Sequence, residues 1–168
     1  MAIREVLTYP HKILEKKAIP VNREENISSL LTDMLETLIH ITGLGLAAPQ
    51  VGVSKQIILY NDLTVKDGHN FVALINPEII ETEGIYISEE EGCLSVPGVR
   101  DTIKRFQKIR VKGLTQDMKP VDFIAEDFLA VILQHEIDHL NGILFLNHLS
   151  PLKRNMYRKQ AEKKLKQK

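Results

Sequence analysis

Cysteine is almost missing from this chain of 168 residues: Cys93 stands alone. A lone cysteine has no partner for an intramolecular disulfide, and a reducing compartment is its natural home. Net charge is missing as well. The 22 basic residues balance the 22 acidic ones, so no global field calls for specific DNA or for a membrane surface. No apolar run approaches the length of a membrane span. Residues 1–7 carry no basic stretch followed by an apolar one, so a secretory signal is not expected and a cytoplasmic location is. Nucleotide loops are absent too. The glycine-rich stretch 43–52 has neither a Gly-Lys-Ser/Thr ending nor the three-glycine Rossmann spacing.

What is present is ordinary in bulk. The chain is 43% apolar and 26% charged, and its length suits one domain, 1–168, with a real core. Residues 1–25, punctuated by Pro10 and Pro20, read as an irregular wrap with one short helix over 13–17. From Asn26, the residues Ile27, Leu30, Leu31, Met34, Leu35, Leu38 and Ile39 repeat at three-four spacing, an amphipathic helix that Gly43 ends. Short β-prone segments follow. They are 56–60, and 71–75 ending at Asn76-Pro77, with a turn at Asp67-Gly68. A hairpin is expected between 78–83 and 84–87, and 104–114 should pair with 121–124. Ser150-Pro151 opens a last helix, rich in lysine and arginine from Lys153 to Lys168 with Glu162 its single acid. The pattern predicts an α+β fold. Mostly antiparallel sheets pack around a central helix, with an N-terminal amphipathic helix and a C-terminal helix to either side.

That central helix is read from Glu126-Asp127 to the stop at Asn141-Gly142. It carries Gln134-His135-Glu136-Ile137-Asp138-His139-Leu140, the pattern H-E-x-x-H. Residues four apart share a helix face, so His135 and His139 can grip one metal ion, with Glu136 beside them to handle protons on a bound water. Three, four and seven residues before His135 stand Ile132, Val131 and Phe128 on the same face. They form an apolar wall beside the metal, or ordinary core.

Two further stretches bear on the site. Gln50 interrupts the small, apolar run Gly-Leu-Gly-Leu-Ala-Ala-Pro at 43–49; it reads as a satisfied buried amide or as an aimed donor. Cys93 follows three glutamates, which raise a thiol pKa by like-charge repulsion. A nearby metal reverses that logic and deprotonates the thiol. Cys93, His135 and His139 around one ion leave a fourth position open, the arrangement of a catalytic site. His11, His40, His69 and His148 have no partner spacing and read as surface or core residues. The expected chemistry is hydrolysis of a carbonyl compound. Glu136 acts as general base, and Gln50 and the Leu94 N–H serve as donors to the developing oxyanion. A general H-E-x-x-H peptidase and a silent RNA-binding module with a basic tail are the competing readings.

Three stretches in order, 43–50, Glu-Gly-Cys-Leu-Ser at 91–95 and 134–140, resemble the motifs of peptide deformylases, and the resemblance runs over the whole chain. It implies removal of the formyl group from the formyl-methionine of nascent peptides. The implied metal ligands are Cys93, His135 and His139. Glu136 is the implied acid/base, and Gln50 and Leu94 the oxyanion donors. Gly45 is implied to bond the substrate backbone, and Leu44, Phe128, Val131 and Ile132 to line the methionine pocket. Arg100 falls where the family has an arginine that supports Glu91, and Glu89 takes a place held by an apolar pocket residue in some members. Fe(II) is the implied native ion, with Zn(II), Ni(II) or Co(II) able to replace it. The last helix is implied to meet the ribosome near its exit tunnel.

Overall fold

The computed structural model describes residues 2–66 and 69–167; the turn expected at Asp67-Gly68 and the terminal Lys168 lie outside them. Three α-helices, α1 (Ser28–His40), α2 (Asp127–Leu140) and α3 (Pro151–Lys166), accompany seven strands. Strands β1 (Gly45–Ala47), β2 (Ile57–Asn61), β3 (Phe71–Glu83), β6 (Lys108–Leu114) and β7 (Pro120–Glu126) form one antiparallel sheet in the order β1-β2-β3-β6-β7. Strands β4 (Tyr86–Cys93) and β5 (Val96–Arg105) pair only with each other. No described helix is long and apolar enough to cross a membrane.

Alternation along β2 divides the interior. Ile57 and Leu59 pack with Met34 and Leu38 of α1. Ile58 and Tyr60 pack with Ala130, Leu133, Ile137 and Leu140 of α2. A period of two puts neighbours on opposite faces, so the sheet carries α1 on one side and α2 on the other. The β4–β5 hairpin has its own core, where Val96, Val99 and Ile103 meet Leu144, Phe145 and Leu146.

Several boundaries differ from the sequence reading. The early helix is a 3-10 turn over Lys12–Glu15 rather than 13–17. Ile39 is 54% exposed. The inward face of α1 instead takes Asp33 and Thr37, which receive the N-terminal strap through Ala2 N–H to Asp33 Oδ1 (2.9 Å) and Arg4 N–H to Thr37 Oγ1 (2.8 Å). The helix stops at His40, with Thr42 in the left-handed region (φ 51°) and the Gly43 N–H donating to the Leu38 carbonyl. Asn76-Pro77 does not end a strand. Asn76 takes φ 49° at a bulge, and β3 resumes at Glu78. The hairpin expected between 78–83 and 84–87 does not form: β3 pairs there with β6, as in Thr82 opposite Ile109, and β4 turns away to β5. The β6–β7 pairing matches the expectation, with Val111 opposite Phe123.

Candidate active site

α2 is pinned one residue before its first histidine. The Gln134 side chain accepts from the Phe106 N–H (2.9 Å) and donates to the Phe106 carbonyl (2.8 Å), fixing the helix against the β5–β6 link. At its far end Asn141 caps the helix and Gly142 takes φ 71°. A Cβ on Gly142 would stand 2.6 Å from the Glu15 carbonyl carbon, so the exit from α2 needs glycine twice over. The whole H-E-x-x-H stretch lies within α2.

Cys93 ends β4, and the hairpin turn that follows brings its sulfur over α2. One donor atom from each of Cys93, His135 and His139 lies within 4.8 Å of the others. Cys93 Sγ is 3.3 Å from His139 Nε2. Glu91 Oε1 lies 2.8 Å from Nδ1 of His135, which leaves Nε2 of that ring available to a metal ion. Glu136 is 5% exposed, and its Oε2 has no hydrogen-bond partner among the described residues. A thiolate and two imidazoles form a donor set for a borderline ion such as Fe(II), Zn(II), Co(II) or Ni(II), not for Mg(II) or Ca(II). The residues fit a divalent ion of the kind that the resemblance implied.

The electrostatics agree. Burial pushes the Glu136 carboxyl up to about 7. Glu91 is buried too, yet His135 and Arg105 outweigh that cost and hold it down to about 2. Burial works against the charged ring of His135, but its contacts with Cys93 and Glu91 prevail and raise its pKa. Burial, then the charge of His135 and of Arg105, lowers that of His139. The two neighbouring imidazoles are thus pushed in opposite directions, and any extra proton on His135 would leave when a metal binds.

One cleft gathers most of the residues picked from sequence. Leu44, Gly45 and Gln50 line it from the β1 region, Cys93 and Leu94 from the hairpin, and Phe128, Val131, Ile132, His135 and Glu136 from α2. His139 lies behind this surface, 1% exposed. Val131 and Ile132 are buried, while Phe128 is half open at the mouth. Gln50 fits both of its readings. Its Oε1 accepts from the Ala47 N–H at 2.9 Å, and its Nε2 faces Ser95 Oγ at 3.2 Å and Cys93 Sγ at 3.8 Å. Glu89 stands on the rim.

Arg100 is not the partner of Glu91. Arg105 is, through Nε to Oε2 at 3.2 Å and through Nη2 to Oε1. In the β4–β5 ladder Glu91 stands opposite Asp101 and Arg100 opposite Gly92. Positions 101, 103 and 105 turn inward, and Arg100 faces out, donating to the Glu90 carbonyl. Strand alternation, invisible without the hairpin register, decided between two arginines five residues apart.

The family model described as polypeptide deformylase matches residues 3–155. A peptide deformylase of Thermodesulfovibrio yellowstonii is 44% identical over 165 residues, covering 98% of this chain and 99% of that one. The crystal structure of a peptide deformylase from Legionella pneumophila superposes with a TM-score of 0.87 at 43% identity, covering 98% and 96% of the two chains. A peptide deformylase from Ehrlichia chaffeensis in complex with actinonin gives a TM-score of 0.89 at 38% identity, covering 98% of each.

Proposed function

This chain belongs to the polypeptide deformylase family, and from that membership we propose how its own residues carry the reaction. The enzyme is a hydrolase that removes the N-formyl group from the N-terminal formyl-methionine of newly made polypeptides and releases formate. Membership speaks against a general peptidase, and the full set of Cys93, His135, His139 and Glu136 in one cleft region supports the hydrolase over a silent RNA-binding module.

In our reading Cys93, His135 and His139 hold one divalent ion, natively Fe(II), with Zn(II), Ni(II) or Co(II) as replacements. The convergence of their three donor atoms within 4.8 Å is the observation that carries it. Such an ion, when bound, supplies Lewis acidity and lowers the pKa of water toward neutrality. Glu136 takes the proton of the attacking water and passes it to the departing amine. Water adds to the formyl carbon, the C–N bond breaks, and formate and a free amino group result. Gln50 Nε2 and the Leu94 N–H donate to the oxygen on which charge develops. Gly45 bonds the peptide backbone. Leu44, Phe128, Val131 and Ile132 receive the methionine side chain, which enters beside α2, the central element of a single catalytic domain, 1–168.

Location in the cytoplasm and contact with the ribosome near its exit tunnel complete the proposal. Lys159, Lys163 and Lys166 of α3 form no ion pair among the described residues, whereas Lys153 and Lys164 engage Asp101 and the Pro97 carbonyl of the hairpin. Cosedimentation with ribosomes after trimming 154–168 tests that part; undiminished binding would refute it. The catalytic reading is tested by anaerobic loading with Fe(II) and an assay of formate release from a formyl-Met tripeptide. Cys93→Ser should weaken metal retention. Unchanged metal content in that variant would place the third ligand elsewhere.

A further inference from the structure

The polar chain that begins at His135 does not stop at Arg105. Nη1 of Arg105 donates to Asp138 Oδ2 at 2.7 Å, and the same oxygen lies 2.8 Å from Nε2 of His148. Nε2 also stands 3.2 Å from Arg105 Nη1. A carboxylate oxygen only accepts, so the hydrogen of the 2.8 Å contact sits on Nε2. Two donors therefore meet on one oxygen of Asp138.

His148 closes the 3-10 turn Phe145–His148, just after α2. The other end of that short turn also reaches the site: the Phe145 ring stacks on His135 with centroids 6.5 Å apart. One turn thus holds the metal-facing histidine by ring packing at its start and by a hydrogen-bonded relay at its end. Beyond Arg105 the relay opens to solvent. The side chains of Arg105 and Glu91 are 3% and 6% exposed, Asp138 is 21% and His148 36%. Asp138 is the first member that water reaches freely. Without its second donor it can turn outward, and Arg105 loses the contact that fixes one edge of its guanidinium fork. Glu91, held by the other edge, orients His135 through Nδ1 at 2.8 Å.

We propose that His148 is a positioning residue for the ligand His135, acting from outside the cleft through Asp138, Arg105 and Glu91. It does not line the cleft and touches no reacting atom. The inference rests on the reading of Cys93, His135 and His139 as metal ligands.

Metal-free protein titrated with Co(II) without oxygen, followed by calorimetry, tests it in three variants. His148→Leu keeps bulk and removes the donor. His148→Gln restores an N–H near the place of Nε2. Cys93→Ala removes a ligand. His148→Leu should weaken Co(II) binding about 3- to 10-fold, less than the roughly 10–100-fold typical of a group bonded directly to a ligand. His148→Gln should return to within about twofold of the unaltered chain by restoring the same hydrogen bond. Cobalt affinity unchanged in His148→Leu, or equally weak in the Leu and Gln variants, overturns the proposal, whatever happens to Tm. Unchanged affinity in Cys93→Ala would instead sink the ligand reading beneath it, so the two failures are distinct.

Discussion

Gly45 and Glu136 are in contact so close that any side chain at position 45 must push the carboxylate aside. A Cβ there would stand 2.7 Å from Glu136 Oε1 and 2.8 Å from its Cγ. The glycine at the edge of the sheet therefore sets where the carboxylate of α2 can be, in addition to any bond it makes to substrate. Gly45→Ala should displace Glu136 and lower kcat by about 10²-fold, the cost of roughly 1 Å of misplacement. Metal content should hold. Elemental analysis beside formate release checks it, and a normal kcat would show that the carboxylate does not need this exact seat.

Glu136→Ala tests the carboxylate itself. The side chain is buried and shares no bond with a ligand, so the variant should fold and keep its metal. Turnover should fall by about 10²–10⁴-fold, the usual worth of a positioned acid/base group. Near-normal formate release would remove Glu136 from that role.

Arg105 and Arg100 should behave very differently. Arg105→Leu strands the buried carboxylate of Glu91, at a cost of about 3–5 kcal/mol in stability. It should also loosen the metal by about 10–100-fold. Arg100→Leu, at an outward position, should stay within about 0.5 kcal/mol of the unaltered chain. Urea unfolding and metal titration of both variants make the comparison, and equal losses would contradict the hairpin register.

Acid should unfold the metal-free protein partly through Glu91. Its carboxyl is depressed from 4.5 to about 2 in the folded chain. Depression means the folded state binds the proton less tightly than the unfolded one. The resulting stability is present above pH 4.5 and is lost as the pH falls from there toward 2. Glu91→Gln should flatten the stability curve across that window while lowering stability at pH 7. An unchanged slope below pH 4.5 would show that other carboxyls govern acid unfolding.

The site was more legible in the sequence than the sheets around it. His135, Glu136 and His139 follow from helix period alone, and Phe128, Val131 and Ile132 from counting back along the same face. All six lie on α2, and five of them line the cleft. Residues whose place depends on register were not legible. Arg105 became distinguishable from Arg100 only once β4 had found β5 rather than β3. His148 offered no metal spacing, and its role needs the chain to double back nine residues after His139. Asn76-Pro77 looked like a strand end because the signals of a stop and of a bulge are the same two residues. Its bulge is held by Asn76 bonding Val21, 55 positions away, a contact no local pattern reveals.

The hairpin that carries Cys93 pairs with no strand of the five-stranded sheet. Cys93 and His139 meet across 46 positions of chain. An ion held between them closes a loop that takes in β5, β6, β7 and α2. It would act as a cross-link does, restricting the unfolded chain and adding a tie between the hairpin and α2. Chelation would then protect the protein from proteases as well as switch it on. A cell short of metal would hold not only less active enzyme but shorter-lived enzyme.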